Sequence, residues 1–195
     1  MPAADKHFDP LPANARTIGM WLFLAALTML FLAGMLGYVM IRLGAPNHPV
    51  AGTIEVSWVF ALSTLAIIAS SVAVERAVRF LKREKQREFR RWLTIALILT
   101  LLFIAIQTPC LIAMLATHES AIDQGVSLYG LVFVLILLHA LHVLGGLIPL
   151  VLTMVRASRN QYDHENTGPI RSLAMYWHFL DAVWIVMLLT FVLLR

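Results

Sequence analysis

Apolar residues dominate five long stretches of the chain, and short polar segments separate them. The stretches run near residues 18–41, 54–74, 92–116, 126–155 and 173–194. About 20 apolar residues in a helix cross the roughly 30 Å hydrocarbon core of a bilayer. Spanning strands would alternate apolar and polar residues, and these stretches are apolar on every face. We therefore predict an all-α integral membrane protein that forms a bundle of five transmembrane helices.

Composition agrees with a lipid environment. The chain has 195 residues, of which 60% are hydrophobic and 13% charged, and its mean hydropathy is +0.81. A soluble domain carries about a quarter charged residues. Residues 1–17 are polar and predict a short tail, and residues 18–195 predict a single membrane domain. The apolar run behind the tail is too long for a cleavable signal peptide.

The distribution of Lys and Arg predicts the orientation. The segment Arg76–Arg91 holds eight of the fifteen basic residues, and the tail and the segment after the fourth span hold five more. With five spans these regions share one side, and only Arg42 and Arg195 fall on the other. The positive-inside rule then predicts a cytoplasmic N-terminus and a periplasmic C-terminus. Glu84 and Glu88 interrupt the basic segment, which favours contact with anionic lipid over nucleic-acid binding.

Small residues mark candidate helix contacts, because helices in lipid associate mainly through close packing. We expect packing roles for Ala33 and Gly37 in the first span, Ser70 in the second, and Gly145 and Gly146 in the fourth. These residues need no chemical role.

Few strongly polar side chains fall inside the spans: Gln107, His139, His142, His178 and Asp181. His139 and His142 are three residues apart and share a helix face, as do His178 and Asp181. Three interpretations compete. The side chains could satisfy one another and fix the helix register, bind a metal or haem, or relay protons. The first is favoured, because His residues three apart are common by chance.

Depth along the helices predicts a specific pair. At about 1.5 Å per residue, His142 lies roughly 18 Å and Asp181 roughly 14 Å from the cytoplasmic ends of their helices. These depths agree within the error of the boundaries. We therefore expect His142 and Asp181, or His178 and a neighbour, to form a hydrogen bond between helices.

Two long motifs then carry a resemblance. The stretches "MYWHFLDAVWIVML" and "SLYGLVFVLILLHALHVLGGLIPLV" closely resemble the last two helices of subunit III of haem-copper terminal oxidases. The stretches "IGMWLFLAALTMLF" and "STLAIIASSVAVERA" resemble earlier helices of that subunit, in the same order. The chain is similar to the short five-helix form of bacterial quinol oxidases and some cytochrome c oxidases.

The resemblance implies an accessory subunit without catalytic, cofactor-binding or metal-binding residues. Haem and copper would lie in the catalytic subunit I, against which this chain would pack together with other oxidase subunits and phospholipids. The subunit would sit in the bacterial inner membrane, where it would support the stability of the oxidase and its supply of protons. The polar residues His139, His142, His178 and Asp181 would then form a structural cluster.

The chain also departs from that family at two positions. A carboxylate is usual in the first helix, where "WLFLAALTM" has Leu27, and in the third, where "IQTPCL" has Cys110. The loss of both carboxylates puts proton supply through this chain in doubt. Cys110 is the only cysteine, so an internal disulfide is impossible.

Two other functions stay open at this point. Relatives of subunit III also accompany nitric oxide reductases as small accessory proteins, so the partner could be such an enzyme. The chain could instead be an independent membrane transporter. The sequence has no inverted repeat and no central charged pathway, and both are common in transporters.

Overall fold

The computed structural model describes residues 13–44, 58–123, 127–158 and 168–194. Within these ranges the chain forms five helices, each long and apolar enough to cross a membrane. The predicted helical membrane fold is confirmed. The helices are α1 (Ala13–Gly44), α2 (Trp58–Lys82), α3 (Gln86–Asp123), α4 (Ser127–Ser158) and α5 (Gly168–Leu193).

The helices continue beyond the apolar stretches that predict them. The basic segment Arg76–Arg91, which separates two predicted spans, is helical on both sides of a short turn, because α2 runs to Lys82 and α3 begins at Gln86. The reason is that the segment also carries apolar residues at helical spacing. Ala77, Leu81 and Phe89 are completely buried, so helix and packing extend together into the polar region.

The turn between α2 and α3 closes with helix-capping geometry. The backbone N–H of Glu84 donates to the carbonyl of Leu81 at 3.0 Å, and that of Lys85 donates to the carbonyl of Phe80 at 3.1 Å. Glu84 has a φ of 59°, in the left-handed region that commonly ends a helix. The result is a tight antiparallel hairpin of α2 and α3, which also form the most extensive helix contact in the chain.

Helix α5, like α4, contacts three other helices. It contacts α1, α2 and α4, whereas α1 touches only α4 and α5 among the described helices. The α2–α3 hairpin and α1 therefore lie on different sides of α5. Adjacent helices in the sequence are not always adjacent in space, since α1 and α2 make no contact in the described part of the chain.

The buried apolar side chains form two clusters along the bundle. The larger includes residues of all five helices, among them Leu27, Phe89, Leu93 and Trp177. The smaller joins α1, α4 and α5 and includes Phe31 and Met187. Near the smaller cluster, the Arg42 Nε donates to the backbone carbonyl of Leu194 at 2.7 Å. This bond ties the ends of α1 and α5 together.

Two neighbouring glycines of α4 have very different surroundings. A Cβ on Gly146 would lie 2.5 Å from Cζ3 of Trp177 and 2.7 Å from Cε1 of Tyr176, which is too close for any side chain. A Cβ on Gly145 would meet nothing within 4 Å. Gly146 thus permits the close approach of α4 and α5, whereas Gly145 is exposed.

The small residues of α1 show a similar shift of one position. Ala33 is exposed, and the contact with α4 is made by Gly34, where a Cβ would lie 2.6 Å from Cδ2 of Leu135. At Gly37 a Cβ would lie 3.7 Å from Leu131, which is an ordinary packing distance. The α1–α4 contact therefore runs along Gly34 and Gly37.

Candidate functional site

A buried hydrogen-bond network joins three helices at Ser70. The indole Nε1 of Trp177 on α5 donates to the Ser70 Oγ on α2 at 3.1 Å. The Ser70 hydroxyl lies 2.8 Å from the Thr100 hydroxyl of α3, and the Thr100 hydroxyl donates to the Ala96 carbonyl at 2.9 Å. Ser70 is completely buried and Thr100 is almost so. Ser70 is therefore a hydrogen-bonding centre, in addition to the packing role expected from its size.

A second polar group runs along the contact of α2 and α5. The Ser71 hydroxyl lies 2.6 Å from Nδ1 of His178 and also faces the Asp181 carboxyl group, whose buried Oδ1 has no hydrogen-bond partner among the described residues. Nε2 of His178 lies 3.6 Å from Oε2 of Glu75, and Oε1 of Glu75 accepts from the Arg79 Nε at 3.2 Å. Ser71, Glu75 and Arg79 are spaced by four residues, so they share one face of α2. We call these five residues the polar ladder.

Exposure changes along the polar ladder. Asp181 and Ser71 are buried inside the bundle. The side chains of His178 and Glu75 are 49% and 38% exposed. The ladder therefore leads from the interior to the outer surface of α2 and α5. Both residues lie on helices that are long and apolar enough to cross a membrane.

The predicted bond between His142 and Asp181 is wrong. Nδ1 of His142 instead lies 2.7 Å from the carbonyl of Leu138, one turn earlier on its own helix. The His142 ring packs edge-on against Phe31, with the ring centroids 5.4 Å apart. Asp181 faces α2 instead. The alternative form of the prediction, a bond from His178 to a neighbouring helix, is confirmed by the contact with Ser71.

His139 lies apart from the polar ladder, in an aromatic enclosure. Its ring stacks on Trp184 with centroids 5.2 Å apart, and it meets Phe103 edge-on at 6.5 Å. In the described part of the chain, neither ring nitrogen has a hydrogen-bond partner, and neither has Oε1 of the buried Gln107. Both side chains line a cavity of about 240 Å³ between α3 and α4. The four predicted polar residues thus do not form one cluster.

This enclosure gives a prediction for stability. Replacing His139 with Phe removes two unpaired polar atoms, and the neighbouring cavity accepts the larger ring. We expect the free energy of unfolding in detergent to rise by about 1 kcal/mol. The same substitution at His178 removes bonded nitrogens and should lower it. Unfolding followed by circular dichroism checks both, and a loss of stability from His139→Phe would show that its nitrogens are satisfied.

The described residues contain no group of three or more His, Cys, Asp or Glu side chains placed to hold a metal ion. Leu27 lies in the larger apolar cluster. The Cys110 Sγ lies 3.8 Å from the carbonyl of Ile106 on its own helix. Apolar packing and a local helix contact thus occupy the two positions at which the resemblance implies carboxylates.

Sequence reasoning missed Ser71, Glu75 and Thr100 as polar partners. Serine and threonine are common in membrane helices, so their identity alone gives little signal. The spacing of Ser71, Glu75 and Arg79 was a usable signal, because three polar residues four apart define one helix face. Glu75 was absent from the candidates because it lies just past the predicted end of the second span.

These observations define a multi-pass helical membrane protein in which hydrogen bonds at Ser70 and Ser71 connect α2 to α5. The chain belongs to the cytochrome c oxidase subunit III family, whose match covers residues 10–194. The match includes all five described helices.

Individual relatives carry related names. The chain is 34% identical over 125 residues to the probable cytochrome c oxidase subunit 3 of Mycobacterium leprae, covering 64% of this chain and 60% of the relative. It is 29% identical over 129 residues to the probable quinol oxidase subunit 3 of Staphylococcus aureus, covering 64% and 61%. The matched part therefore spans about three fifths of the length of these relatives.

Proposed function

We propose that the chain is the accessory subunit III of a haem-copper terminal oxidase in a bacterial inner membrane. In this role it packs against the catalytic subunit, which carries the haem and copper, and against phospholipids. The family match and the names of both bacterial relatives support this assignment. Its contribution is to the stability of the complex.

The observation that carries the proposal is the exposed part of the polar ladder. Nε2 of His178 and Oε2 of Glu75 lie 3.6 Å apart with both side chains partly exposed. His178 lies five residues, or roughly 8 Å, past the start of the fifth apolar stretch, at 1.5 Å per residue. Ionisable side chains at such a depth are costly when they face lipid and normally face protein or water. A partner helix that covers this surface removes that cost.

The buried half of the polar ladder supports a structural role for the same residues. Ser71 contacts His178 and faces Asp181, so the position of His178 on the surface is fixed by contacts inside the bundle. A fixed imidazole and carboxylate offer a partner both donor and acceptor groups. The surface formed by α2 and α5 is therefore our candidate for the contact with the catalytic subunit.

The test is gentle purification of the tagged chain from its own membranes. We expect haem-bearing subunits to co-purify, with haem visible in the absorption spectrum. The double variant Glu75→Leu/His178→Leu should reduce the co-purified haem by about tenfold or more, because it removes the polar contact. The control Leu144→Ala/Ile148→Ala changes exposed residues of α4, which does not contact α2 in the described chain, and should retain the haem.

Circular dichroism of the isolated variants separates loss of contact from loss of folding. A wild-type chain that purifies alone, without haem-bearing protein, would contradict the proposed function. Equal loss of haem in both double variants would contradict the assigned surface. Consumption of oxygen or of nitric oxide by the purified complex identifies its electron acceptor.

A further inference from the structure

We propose that the cavity between α3 and α4 is a binding site for a small neutral phenol that enters from the membrane. The cavity has a volume of about 240 Å³, and its lining includes His139, Gln107 and Trp184. An apolar cavity of about 150 Å³ inside a protein accepts benzene, so this one has room for a substituted aromatic ring. The site lies within this chain and does not depend on the proposed function.

Unpaired polar atoms in the lining offer hydrogen bonds to a ligand. His139 is only 1% exposed, and Gln107 is buried as well. Among the described residues, the two ring nitrogens of His139 and Oε1 of Gln107 have no hydrogen-bond partner. A neutral imidazole carries one N–H donor and one acceptor nitrogen, and an amide oxygen is an acceptor. Leaving such buried groups unpaired costs free energy, and a ligand with a hydroxyl group recovers part of it.

The other polar groups of the described lining are already engaged. The Trp184 Nε1 donates to the Thr64 hydroxyl on α2 at 3.0 Å. The Thr108 hydroxyl donates to the Ile104 carbonyl on its own helix at 2.7 Å. His139 and Gln107 are therefore the groups left to recognise a polar ligand.

The rest of the lining selects a neutral ligand with an aromatic body. The described lining contains no Asp, Glu, Lys or Arg, and a charged group buried without a partner is strongly unfavourable. Phe103 and Trp184 contribute aromatic surface, with ring centroids 5.6 Å apart. Aromatic rings pack favourably in edge-to-face or offset arrangements. A phenol combines such a ring with a hydroxyl group that both donates and accepts.

The lining extends from the interior of the bundle to its outer surface. Leu141 and Leu144 belong to the lining and are exposed, whereas His139 and Val143 of the same helix are buried. All four lie in a helix that is long and apolar enough to cross a membrane. A ligand that dissolves in the hydrocarbon core can therefore reach the cavity between α3 and α4.

The test is binding of phenol to the purified full chain in detergent, followed by NMR of 15N-labelled histidine. The signals of His139 are identified by their absence from the His139→Phe variant. Toluene has nearly the same shape as phenol and lacks the hydroxyl group. At equal concentrations in the micelles, we expect phenol to shift the ring-nitrogen signals of His139. We also expect it to bind about tenfold more tightly than toluene, because one hydrogen bond to a buried unpaired group is worth about that factor.

Three variants locate the site. His139→Phe fills the cavity and removes the imidazole, so phenol binding should be lost. His142→Phe is its matched control, because it makes the same exchange three residues further along α4, outside the cavity lining, and should bind phenol like the wild type. Gln107→Leu keeps nearly the same side-chain volume and loses Oε1. It should weaken phenol binding about threefold to tenfold and leave toluene binding unchanged, which tests the site even if His139→Phe folds poorly.

The stability of the variants gives a second measurement. The gain expected for His139→Phe applies to the chain without ligand. Because a ligand stabilises only the folded protein that binds it, saturating phenol should raise the unfolding midpoint of the wild type and not that of His139→Phe.

Three results would overturn the inference. Equal affinity of the wild type for phenol and toluene would show that no polar group takes part in binding. Unchanged phenol binding in both His139→Phe and Gln107→Leu would place the ligand elsewhere. Equal loss of binding in His139→Phe and His142→Phe would indicate a general change of the bundle and no defined site.

Discussion

Replacing Trp177 with Ala is expected to lower the free energy of unfolding by about 3–5 kcal/mol, which is typical for a large aromatic side chain deleted from a core. Trp177 is only 2% exposed and is the largest fully buried side chain in the described structure. It also donates to Ser70 at the point where α2, α3 and α5 meet. The substitution therefore removes packing and leaves the Ser70 network without its donor from α5.

Trp21 provides the control, since 61% of its surface is exposed. Trp21→Ala should change the stability of the isolated chain by less than about 0.5 kcal/mol. Titration with a denaturing detergent, followed by helical circular dichroism, measures both. Trp177→Phe keeps part of the aromatic packing and loses the bond, worth about 0.6 kcal/mol in a membrane protein, so its loss should be clearly smaller than that of Trp177→Ala. Similar losses from Trp177→Ala and Trp21→Ala would refute the assigned packing.

The second large effect is expected from Gly146→Ala. The added methyl carbon would overlap Trp177 and Tyr176, both of which are buried. The hydroxyl of Tyr176 also donates to the carbonyl of His142 at 2.8 Å, which holds this ring against α4. Overpacking of this kind costs about 1–3 kcal/mol, and α4 must move away from α5 to accept the methyl group.

Gly145→Ala is the matched experiment. Both substitutions make the same change in helix propensity, which favours Ala over Gly by up to about 1 kcal/mol. A methyl group at Gly145 meets nothing within 4 Å, so Gly145→Ala should leave stability unchanged or raise it. The two variants are thus expected to shift the unfolding midpoint in opposite directions. A shift of the same sign and size would show that the α4–α5 contact is not set by Gly146.

The number and type of helices could be predicted from the sequence because lipid imposes a strict rule on length and polarity. The resemblance to oxidase subunit III could also be found, because the motifs around His142 and His178 are long. The family match confirms it. These predictions depend on position along the helix axis alone, which the sequence specifies directly.

The partners of the polar residues could not be predicted in the same way. Depth placed His142 and Asp181 at one level, but a contact also depends on how each helix is rotated about its axis. Adjacent residues of a helix point about 100° apart. That rotation explains why Gly146 contacts α5 and Gly145 does not. It also explains why Gly34, and not the predicted Ala33, contacts α4. It also places Ser71, and not His142, beside Asp181.

The contacts of α1 with α4 and α5 have a consequence for how the protein is made. During synthesis α5 leaves the ribosome after the other four helices. The α2–α3 hairpin can form early from neighbouring segments, because its contacts need only a short turn. Helix α1 must remain in the bilayer until α4 and α5 arrive, since these are its only described neighbours. The insertion of α1 therefore precedes its packing against α4 and α5 by the time needed to translate more than a hundred residues. During that interval α1 lies in the bilayer without the helices that it contacts in the folded chain.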